Sequence, residues 1–167
     1  GKLTCTLDAH TQDAVDACVR LITQSIYYEP AAGMQYLIKP GYHEQLDSMR
    51  NYLEHSRDYI SGYETELREQ LGIPKLKVKY NKILGYFIEV SKIHSDRVGQ
   101  DFLRKQTLVN SERYTTEYLL SLEQKMQKAR EQFSDLERRI YHQVLQEVKK
   151  FANEIRSAAD TASEVDC

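Results

Sequence analysis

Apolar residues recur in steps of three, four and seven over two long stretches of the chain, so each stretch has one apolar face when it is built as an α-helix. The first stretch runs from Tyr42 to Leu71, between Pro40-Gly41 and Gly72, which are helix start and stop signals in the expected order. The second runs from Glu117 to Ile155 and continues its apolar face after a four-residue stutter. Neither interior contains proline. The pattern predicts two long helices, which we expect to pack antiparallel along their apolar faces.

Between these helices the apolar spacing changes to a period of two, which is typical of β-strands. Apolar residues alternate with lysines over Leu76–Tyr80, and a second alternation follows over Tyr86–Val90. Asn81 suits the turn between the two strands, and Gly85 suits a bulge or a close backbone approach. We expect two further pieces to complete a small antiparallel sheet, namely Leu103–Leu108 and Arg113–Thr115.

The starts of the helices carry local signals of their own. Thr116 is expected to cap the second long helix, with Glu117 in its first turn. Asp8 to Ile26 has a shorter helical apolar face, and the YYEPAAGM stretch after it is typical of a loop. We therefore expect residues 1–40 to pack at the base of the helical pair.

Composition excludes several classes of protein. Charged residues make up 29% and hydrophobic residues 41% of the chain, an ordinary soluble mixture with a tilt towards long helices. No apolar run approaches the roughly 18 residues of a transmembrane helix, and no signal-peptide pattern is present. We therefore expect a cytoplasmic protein with no membrane partner. The three cysteines, Cys5, Cys18 and Cys167, are odd in number and scattered, which argues against disulfides and indicates a reducing compartment.

The net charge of −2 conceals an asymmetry. Residues 75–116 contain nine Lys/Arg against four Asp/Glu, a balance of +5, which leaves −7 for the rest of the chain. A basic region on an acidic chain is expected where phosphate groups are bound. Lysines that keep sheet edges from aggregating explain the same charge without any ligand. Charge alone favours neither explanation.

Several kinds of catalytic chemistry have no basis in the sequence. There is no GxxxxGKS/T run and therefore no P-loop. His94-Ser95-Asp96 contains the residue types of a serine triad, but adjacent residues cannot point at one another, so we interpret it as a loop. The helix histidines lack partners at metal-ligand spacing, so no metal site is predicted. Tyr27-Tyr28-Glu29 is interpreted as core packing and not as an aromatic wedge between bases.

Three motifs resemble one protein family closely: LKVKYNKILGYFIEVSK, FLRKQTLVNSERYTTEYL and, upstream of both, IKPGYHEQLD. In this order and approximate spacing they resemble the core and clamp region of the MutS family of DNA mismatch-repair proteins. The resemblance covers about residues 33–160, and the patterns Y-N-x-x-x-G-Y-Y/F-I-E-V and R-K-Q-T-L-x-N-x-E-R-Y/F are specific to that family. Residues 1–32 match only as a helical segment.

The resemblance implies a fold and a domain organisation. In that family two long helices act as levers that connect a central core to a small β-rich clamp, and the clamps of two protomers close around duplex DNA. It implies a mainly α fold, with two long antiparallel lever helices and a small antiparallel β clamp inserted at their tip. The parts are the base of the core and lever domain (1–40), the first lever helix (41–75), the clamp (76–116), and the second lever helix with a truncated return into the core (117–167). It also implies a second MutS protomer as partner and, in a bacterium, association with the nucleoid.

The resemblance also implies which residues meet double-stranded DNA. Asn81, Lys105 and Asn110 occupy positions that resemble the DNA-contacting ones, and their weaker neighbours are Lys82, Arg104 and Gln106. Amides and lysines suit phosphate oxygens, which position a protein without reading base sequence. Turn chemistry is the alternative role for both asparagines. Some relatives carry lysine just before the last asparagine, where this chain has Val109, so we expect one phosphate contact to be missing.

The resemblance implies equally what lies outside this chain. The family's mismatch-reading Phe-x-Glu motif belongs to an N-terminal domain, and its ATPase domain, where ATP and Mg²⁺ are expected, lies towards the C-terminus, so we expect both to lie outside this chain. We therefore expect a chain with no cofactor, no catalytic residues and no enzymatic activity, within an ATP-dependent mismatch-binding parent. Two alternatives stay open: a coiled-coil interaction module whose lysine-rich tip binds an acidic protein, and a MutS paralogue that acts in recombination.

Overall fold

The computed structural model describes residues 8–27 and 36–165. The elements among these residues are α1 (Ala9–Ser25), α2 (Glu44–Leu71), β1 (Lys77–Asn81), β2 (Gly85–Ser91), the 3-10 helix η1 (Lys92–Arg97), β3 (Leu103–Thr107), β4 (Ser111–Thr115) and α3 (Glu117–Val165). The described chain is thus mainly helical with one small antiparallel sheet, which confirms the predicted class. Packing divides it into two units, a sheet unit (Ser48–Gln132) and an end unit (Gly1–Asp47 with Phe133–Cys167).

The helix bounds confirm the three predicted helices, and one predicted cap is confirmed as well. Asp8 caps α1, because its carboxylate accepts the Thr11 backbone N–H at 2.7 Å. The Thr116 hydroxyl accepts the Leu119 N–H at 3.2 Å and so caps α3, as the sequence predicts. The last predicted residue of α3, Ile155, lies inside the helix, which continues to Val165. Helix periodicity therefore locates these elements to within a few residues, except at the carboxyl end of α3.

The four strands form one antiparallel sheet in the order β1-β2-β4-β3. Asn81 pairs with Gly85 around the β1–β2 turn, whereas Ser91, at the other end of β2, pairs with Ser111 beside the β3–β4 turn. The two turns consequently lie at opposite ends of the sheet, which we call the hairpin end (β1–β2 turn) and the far end (β3–β4 turn). β3 contains a bulge between Arg104 and Gln106.

One face of the sheet packs on the helices of the same unit. Its core consists of buried residues from α2, the loop after it, the sheet and α3: Ile60, Leu67, Ile73, Leu76, Ile88, Val90, Tyr114, Leu119, Leu122 and Met126. Two helix carboxylates accept backbone N–H groups of the sheet, Glu64 from Val78 at 2.8 Å and Glu123 from Tyr86 at 3.3 Å. These bonds satisfy strand donors that no neighbouring strand reaches and hold the β1–β2 hairpin on the helices.

Gly85 confirms the predicted close approach. Its φ is +71°, a conformation that glycine adopts without steric cost, and the Glu123 carboxylate lies directly over its Cα. A side chain at this position would occupy the space of that carboxylate. Gly85 therefore permits both the β1–β2 turn and the Glu123–Tyr86 hydrogen bond.

The end unit has a smaller core of its own. Its buried apolar residues are Ile38, Leu46, Phe133, Leu136, Ile140 and Val144. Ile26 pairs with Ile38 in an isolated β-bridge, and the Phe133 ring meets the Tyr36 ring edge-on with 5.3 Å between centroids. The buried Glu137 carboxylate accepts the backbone N–H groups of Leu37, at 2.7 Å, and Ile38, at 3.1 Å. A carboxylate from α3 thus fixes the chain that leads into α2.

Some expectations are corrected and some stay predictions. His94-Ser95-Asp96 lies within η1 and not in a loop, and the Ser95 hydroxyl donates to the Lys92 carbonyl at 2.8 Å inside that turn. A 3-10 helix of six residues is too short to show an apolar period, so the sequence gives no signal for it. The predicted YYEPAAGM loop spans residues 27–34 and, apart from Tyr27, lies outside the described residues. Antiparallel pairing of α2 with α3 along their length and the four-part domain division stay predictions. Within the described residues, no helix combines the length and the apolarity that crossing a membrane requires.

Candidate nucleic-acid interface

A polar ladder crosses all four strands on the face of the sheet that points away from the core. Lys79 donates to Glu89 at 2.8 Å, and Arg113 donates to the other Glu89 oxygen at 3.1 Å and to the Gln106 carbonyl oxygen at 2.9 Å. Hydrogen bonds from Lys79, and then from Arg113, lower the pKa of Glu89 below its usual value. One carboxylate is thus shared by two cations, so Lys79 and Arg113 are both paired within the protein although one positive charge remains in excess.

Phe87 lies on the same face and is nevertheless buried, with 2% of its surface exposed. The Arg113 guanidinium carbon lies 4.5 Å from the centroid of the Phe87 ring, within the range of a cation–π contact. Arg113 therefore covers an aromatic ring as well as bridging Glu89 and Gln106. Its Nε and one of its two terminal nitrogens are thus engaged inside the protein.

Arg104, one of the predicted DNA-contacting residues, is also paired within the sheet. Its guanidinium donates to the Glu112 carboxylate at 2.8 Å, and the Tyr114 hydroxyl donates to the same oxygen at 2.7 Å. Burial, and then the hydrogen bond to Glu112, raise the pKa of Tyr114. Gln106 uses its carbonyl oxygen for Arg113. Both Arg104 and Gln106 thus have structural partners inside the protein.

The hairpin end brings three of the predicted residues together. The side-chain Oδ1 of Asn81 accepts the backbone N–H groups of Ile83 at 3.0 Å and Leu84 at 2.7 Å. Asn81 therefore has the turn role that was the alternative to DNA contact. The Lys105 ammonium group donates to the Leu84 carbonyl at 2.6 Å. Lys105 is the bulged residue of β3, which has no paired residue on β4. The turn is therefore bound from two sides.

Charge and donors remain available at this end. Lys82 is exposed, and no side chain of the described residues pairs with it. Lys105 uses one of its three ammonium donors and meets no carboxylate among those residues, while the amide nitrogen of Asn81 is left to donate. Lys82, Lys105 and Asn81 thus offer two positive charges and a neutral donor at one end of the sheet.

The far end carries Asn110 and a second group of lysines. The Asn110 carbonyl accepts the Lys92 N–H at 3.1 Å, and the Asn110 side chain is exposed. Lys75, Lys77 and Lys92 are exposed, and within the described part of the chain none of them has a carboxylate partner. Val109, beside Asn110, has 86% of its surface exposed. This end therefore has three lysines of unmatched charge around one exposed amide.

The predicted residues thus form two groups and not one. The six steps along β2 from Gly85 to Ser91 separate the two ends by about 20 Å at roughly 3.3 Å per residue. Sequence reasoning missed the far-end lysines as a group, since a charge count treats paired and unpaired lysines alike. The strand register that pairs Glu89 with Arg113 was the signal that could have distinguished paired cations from unpaired ones. The described residues contain no group of three or more His, Cys, Asp or Glu that could hold a metal ion.

Comparisons with known proteins agree on one family. The model of MutS family domain IV matches residues 41–132. The chain is 40% identical, over 153 residues, to the DNA mismatch repair protein MutS of Thermotoga neapolitana, which covers 90% of the chain and 19% of that protein. It is 38% identical over 131 residues to the protein of the same name from Salinibacter ruber, covering 78% of the chain and 14% of the relative. The match to that of Protochlamydia amoebophila has 35% identity over 165 residues, with coverages of 96% and 19%. The chain thus spans less than a fifth of the length of each of these relatives.

Proposed function

The chain belongs to the MutS family of DNA mismatch repair proteins, and we propose that its small sheet binds the phosphate backbone of double-stranded DNA without reading base sequence. The observation that carries this proposal is the distribution of unpaired charge. Each cation in the middle of the sheet is ion-paired with Glu89 or Glu112, whereas lysines at both ends have no carboxylate partner among the described residues. Unmatched lysines confined to the ends of a sheet are positioned for phosphates.

The contacts that we propose differ in kind between residues. Lys82 and Lys105 at the hairpin end, and Lys77 and Lys92 at the far end, supply charge that displaces counterions from DNA. Asn81 and Asn110 supply neutral donors to phosphate oxygens. Arg104 and Gln106 are engaged by Glu112 and Arg113, so we expect them to position neighbouring groups more than to bind phosphate.

The spacing of the two ends fits a duplex. About 20 Å along β2 exceeds the roughly 12 Å width of the major groove of B-DNA. The two ends would then reach phosphates on opposite sides of a groove, and the middle of the sheet, where the cations are ion-paired, would face the groove between them. An arrangement of this kind contacts the backbone twice and no base edge, which is what a sequence-independent contact requires.

In the full-length protein we propose a division of labour. Residues 76–116 serve as a DNA clamp, 41–75 and 117–167 as lever helices, and 1–40 as part of the base. ATP and Mg²⁺ are bound elsewhere in an ATP-dependent mismatch-binding parent, and a second protomer closes around the same duplex. We propose repair over recombination, because the relatives at 35–40% identity carry the name DNA mismatch repair protein MutS. The chain itself is proposed to have no catalytic activity.

The test is a salt titration of duplex binding by fluorescence anisotropy. We expect the chain to bind matched and mismatched duplexes equally, with a dissociation constant of about 10⁻⁴ to 10⁻⁶ M and a slope of log K against log salt of roughly −3 to −4 for the four lysine contacts. Lys82→Ala should reduce that slope by about one, and Val109→Lys should steepen it by a similar amount. Asn110→Ala should weaken binding with little change in slope, since a neutral amide releases no counterion.

Lys79→Ala is the matched control. Lys79 is an exposed lysine close to Lys82 in sequence, but its charge is matched by Glu89, so its removal should leave the slope nearly unchanged. Absence of duplex binding at low salt would refute the proposal. Equal slopes for the wild type, Lys82→Ala and Val109→Lys would also refute it, and would favour an acidic protein as the partner of these lysines.

A further inference from the structure

A cleft of about 450 Å³ lies inside the sheet unit, and none of the lysines at the two ends of the sheet lines it. Its walls come from α2, α3 and the β1–β2 hairpin, and its lining includes Arg57, Ile60, Val78, Tyr80, Tyr86 and Arg130. A cleft of this volume is within the range of sites that hold small molecules. None of its lining residues takes part in the duplex contact proposed above.

The charge of the cleft indicates the sign of its ligand. Arg57 on α2 and Arg130 on α3 both line it, and no acidic side chain does. Neither arginine forms an ion pair with any described residue. Two like charges that face one cavity repel each other, so binding of an anion between them is favoured. Because a guanidinium group presents a planar set of donors, phosphate oxygens are a suitable acceptor.

The aromatic wall indicates a second part of the ligand. The Tyr80 and Tyr86 rings contact each other with 5.0 Å between centroids and 57° between planes. Tyr80 nevertheless has 56% of its surface exposed, so much of its ring is open to the cleft and to solvent. Ile60 and Val78 add apolar surface beside it. An open aromatic ring beside apolar side chains is a surface on which a nucleic-acid base stacks.

We propose that this cleft binds a nucleoside 5′-monophosphate, either free or as the phosphorylated end of a single strand. The phosphate lies between Arg57 and Arg130, and the base lies on Tyr80. A terminal phosphate monoester carries a charge of about −1.5 to −2 near neutral pH, which matches two arginines. A carboxylate or a phosphodiester inside a strand carries a single negative charge and would leave one arginine unmatched.

The test uses NMR titrations of the chain with deoxyadenosine 5′-monophosphate, deoxyadenosine and inorganic phosphate. The nucleotide should bind at least about tenfold more tightly than the nucleoside, because the phosphate forms charge-assisted hydrogen bonds. Arg57→Gln and Arg130→Gln should each weaken nucleotide binding by about tenfold or more. Arg138→Gln, an equal loss of charge on α3 outside the cleft, is the control and should leave binding unchanged.

Two further experiments test the contact with the base and distinguish a free nucleotide from the end of a strand. Tyr80→Leu should weaken nucleotide binding by about fivefold or more while the affinity for inorganic phosphate stays the same. Short single strands with a 5′-phosphate or a 5′-hydroxyl distinguish the sources. A preference for the phosphorylated strand identifies a strand end as a ligand, and binding of the free nucleotide alone identifies a mononucleotide site.

The results that overturn the proposal are separate from those that overturn the duplex contact. No nucleotide binding at roughly 10 mM, where a site of millimolar affinity is mostly filled, overturns it. Equal affinity of Arg57→Gln, Arg130→Gln and Arg138→Gln overturns it too. If Arg57→Gln and Arg130→Gln weaken binding of the duplex but not of the nucleotide, these arginines belong to the duplex contact.

Nucleotide binding by a chain that binds no duplex would support this site and refute the proposed function. Both cleft arginines are exposed, so their loss is not expected to unfold the chain, and circular dichroism of each variant checks this.

Discussion

Replacing Gly85 by alanine perturbs a position where backbone conformation and packing act together. Gly85 has φ of +71°, and an alanine Cβ would lie 2.9 Å from the carboxyl carbon of Glu123 and closer still to one of its oxygens. The Glu123 side chain is flexible and can move away. Its movement, however, removes the acceptor of the Tyr86 N–H, which it holds at 3.3 Å. The substitution therefore adds backbone strain and deprives a half-buried donor of its partner.

The magnitude follows from these two effects. A residue other than glycine in the left-handed region costs about 1 to 2 kcal/mol. Loss of a hydrogen bond to a charged acceptor costs about 1.5 to 3 kcal/mol, with the low end expected here because the bond is long and Tyr86 is half-buried. Reduced freedom of the unfolded chain offsets about 0.4 to 1 kcal/mol. Together these effects predict a destabilisation of about 2 to 3 kcal/mol.

Urea unfolding monitored by circular dichroism measures this value, and a double-mutant cycle with Glu123→Ala divides it. Gly85→Ala should cost only about 1 kcal/mol, the backbone part, when Glu123 is absent. Gly62→Ala is the matched control. It lies inside α2 with nothing within 4 Å of the added methyl group, so it should stabilise the chain by about 0.5 to 1 kcal/mol. A Gly85→Ala variant as stable as the wild type, or equally destabilised with and without Glu123, would refute this reasoning.

Three other predictions concern stability, pH and catalysis. Phe133→Ala should destabilise the chain by roughly 3 kcal/mol, since Phe133 is 5% exposed and meets the Tyr36 ring, and an unchanged melting temperature would contradict this. Glu89 has a lowered pKa in the folded chain, so it contributes stability above its unfolded pKa of about 4.5, and that contribution is lost as the pH falls through the lower folded value. Glu89→Gln should therefore reduce stability at pH 7 and lose this deficit towards pH 3 in urea titrations, whereas parallel pH curves for the two proteins would count against the ion pairs. The purified chain should release no phosphate from ATP above background, and turnover abolished by a mutation within the chain would overturn the assignment.

The sequence by itself determined the secondary structure of the described chain to a large extent. Spacings of three and four placed α2 and α3, and alternation placed β1 and β2, because a regular element exposes and buries residues with its own period. The Thr116 cap and the special backbone at Gly85 were also readable, since a cap and a turn depend on a few neighbouring residues. Family membership followed from contiguous motifs for the same reason.

Strand order and the state of the charged groups were decided by tertiary structure. Within the β1–β2 hairpin Glu89 meets Lys79 at a separation of 10 residues, and the order β1-β2-β4-β3 places β4 beside β2, so Glu89 also meets Arg113 at a separation of 24. The same topology places Asn81 and Asn110 at opposite ends of the sheet. A count of lysines over residues 75–116 therefore described the amount of charge but not where it was free.

The candidate sites show the physical reason for this division. Whether a lysine or arginine is available to a phosphate depends on the groups within a few ångströms of its nitrogen atoms. For Lys105 that group is the Leu84 carbonyl, 21 residues away along the chain. Arg57 and Arg130 instead line a cleft, which exists only where α2, α3 and the β1–β2 hairpin meet. Local periodicity is recorded in the sequence residue by residue, whereas the partner of a charge is set by chain segments that only folding brings together.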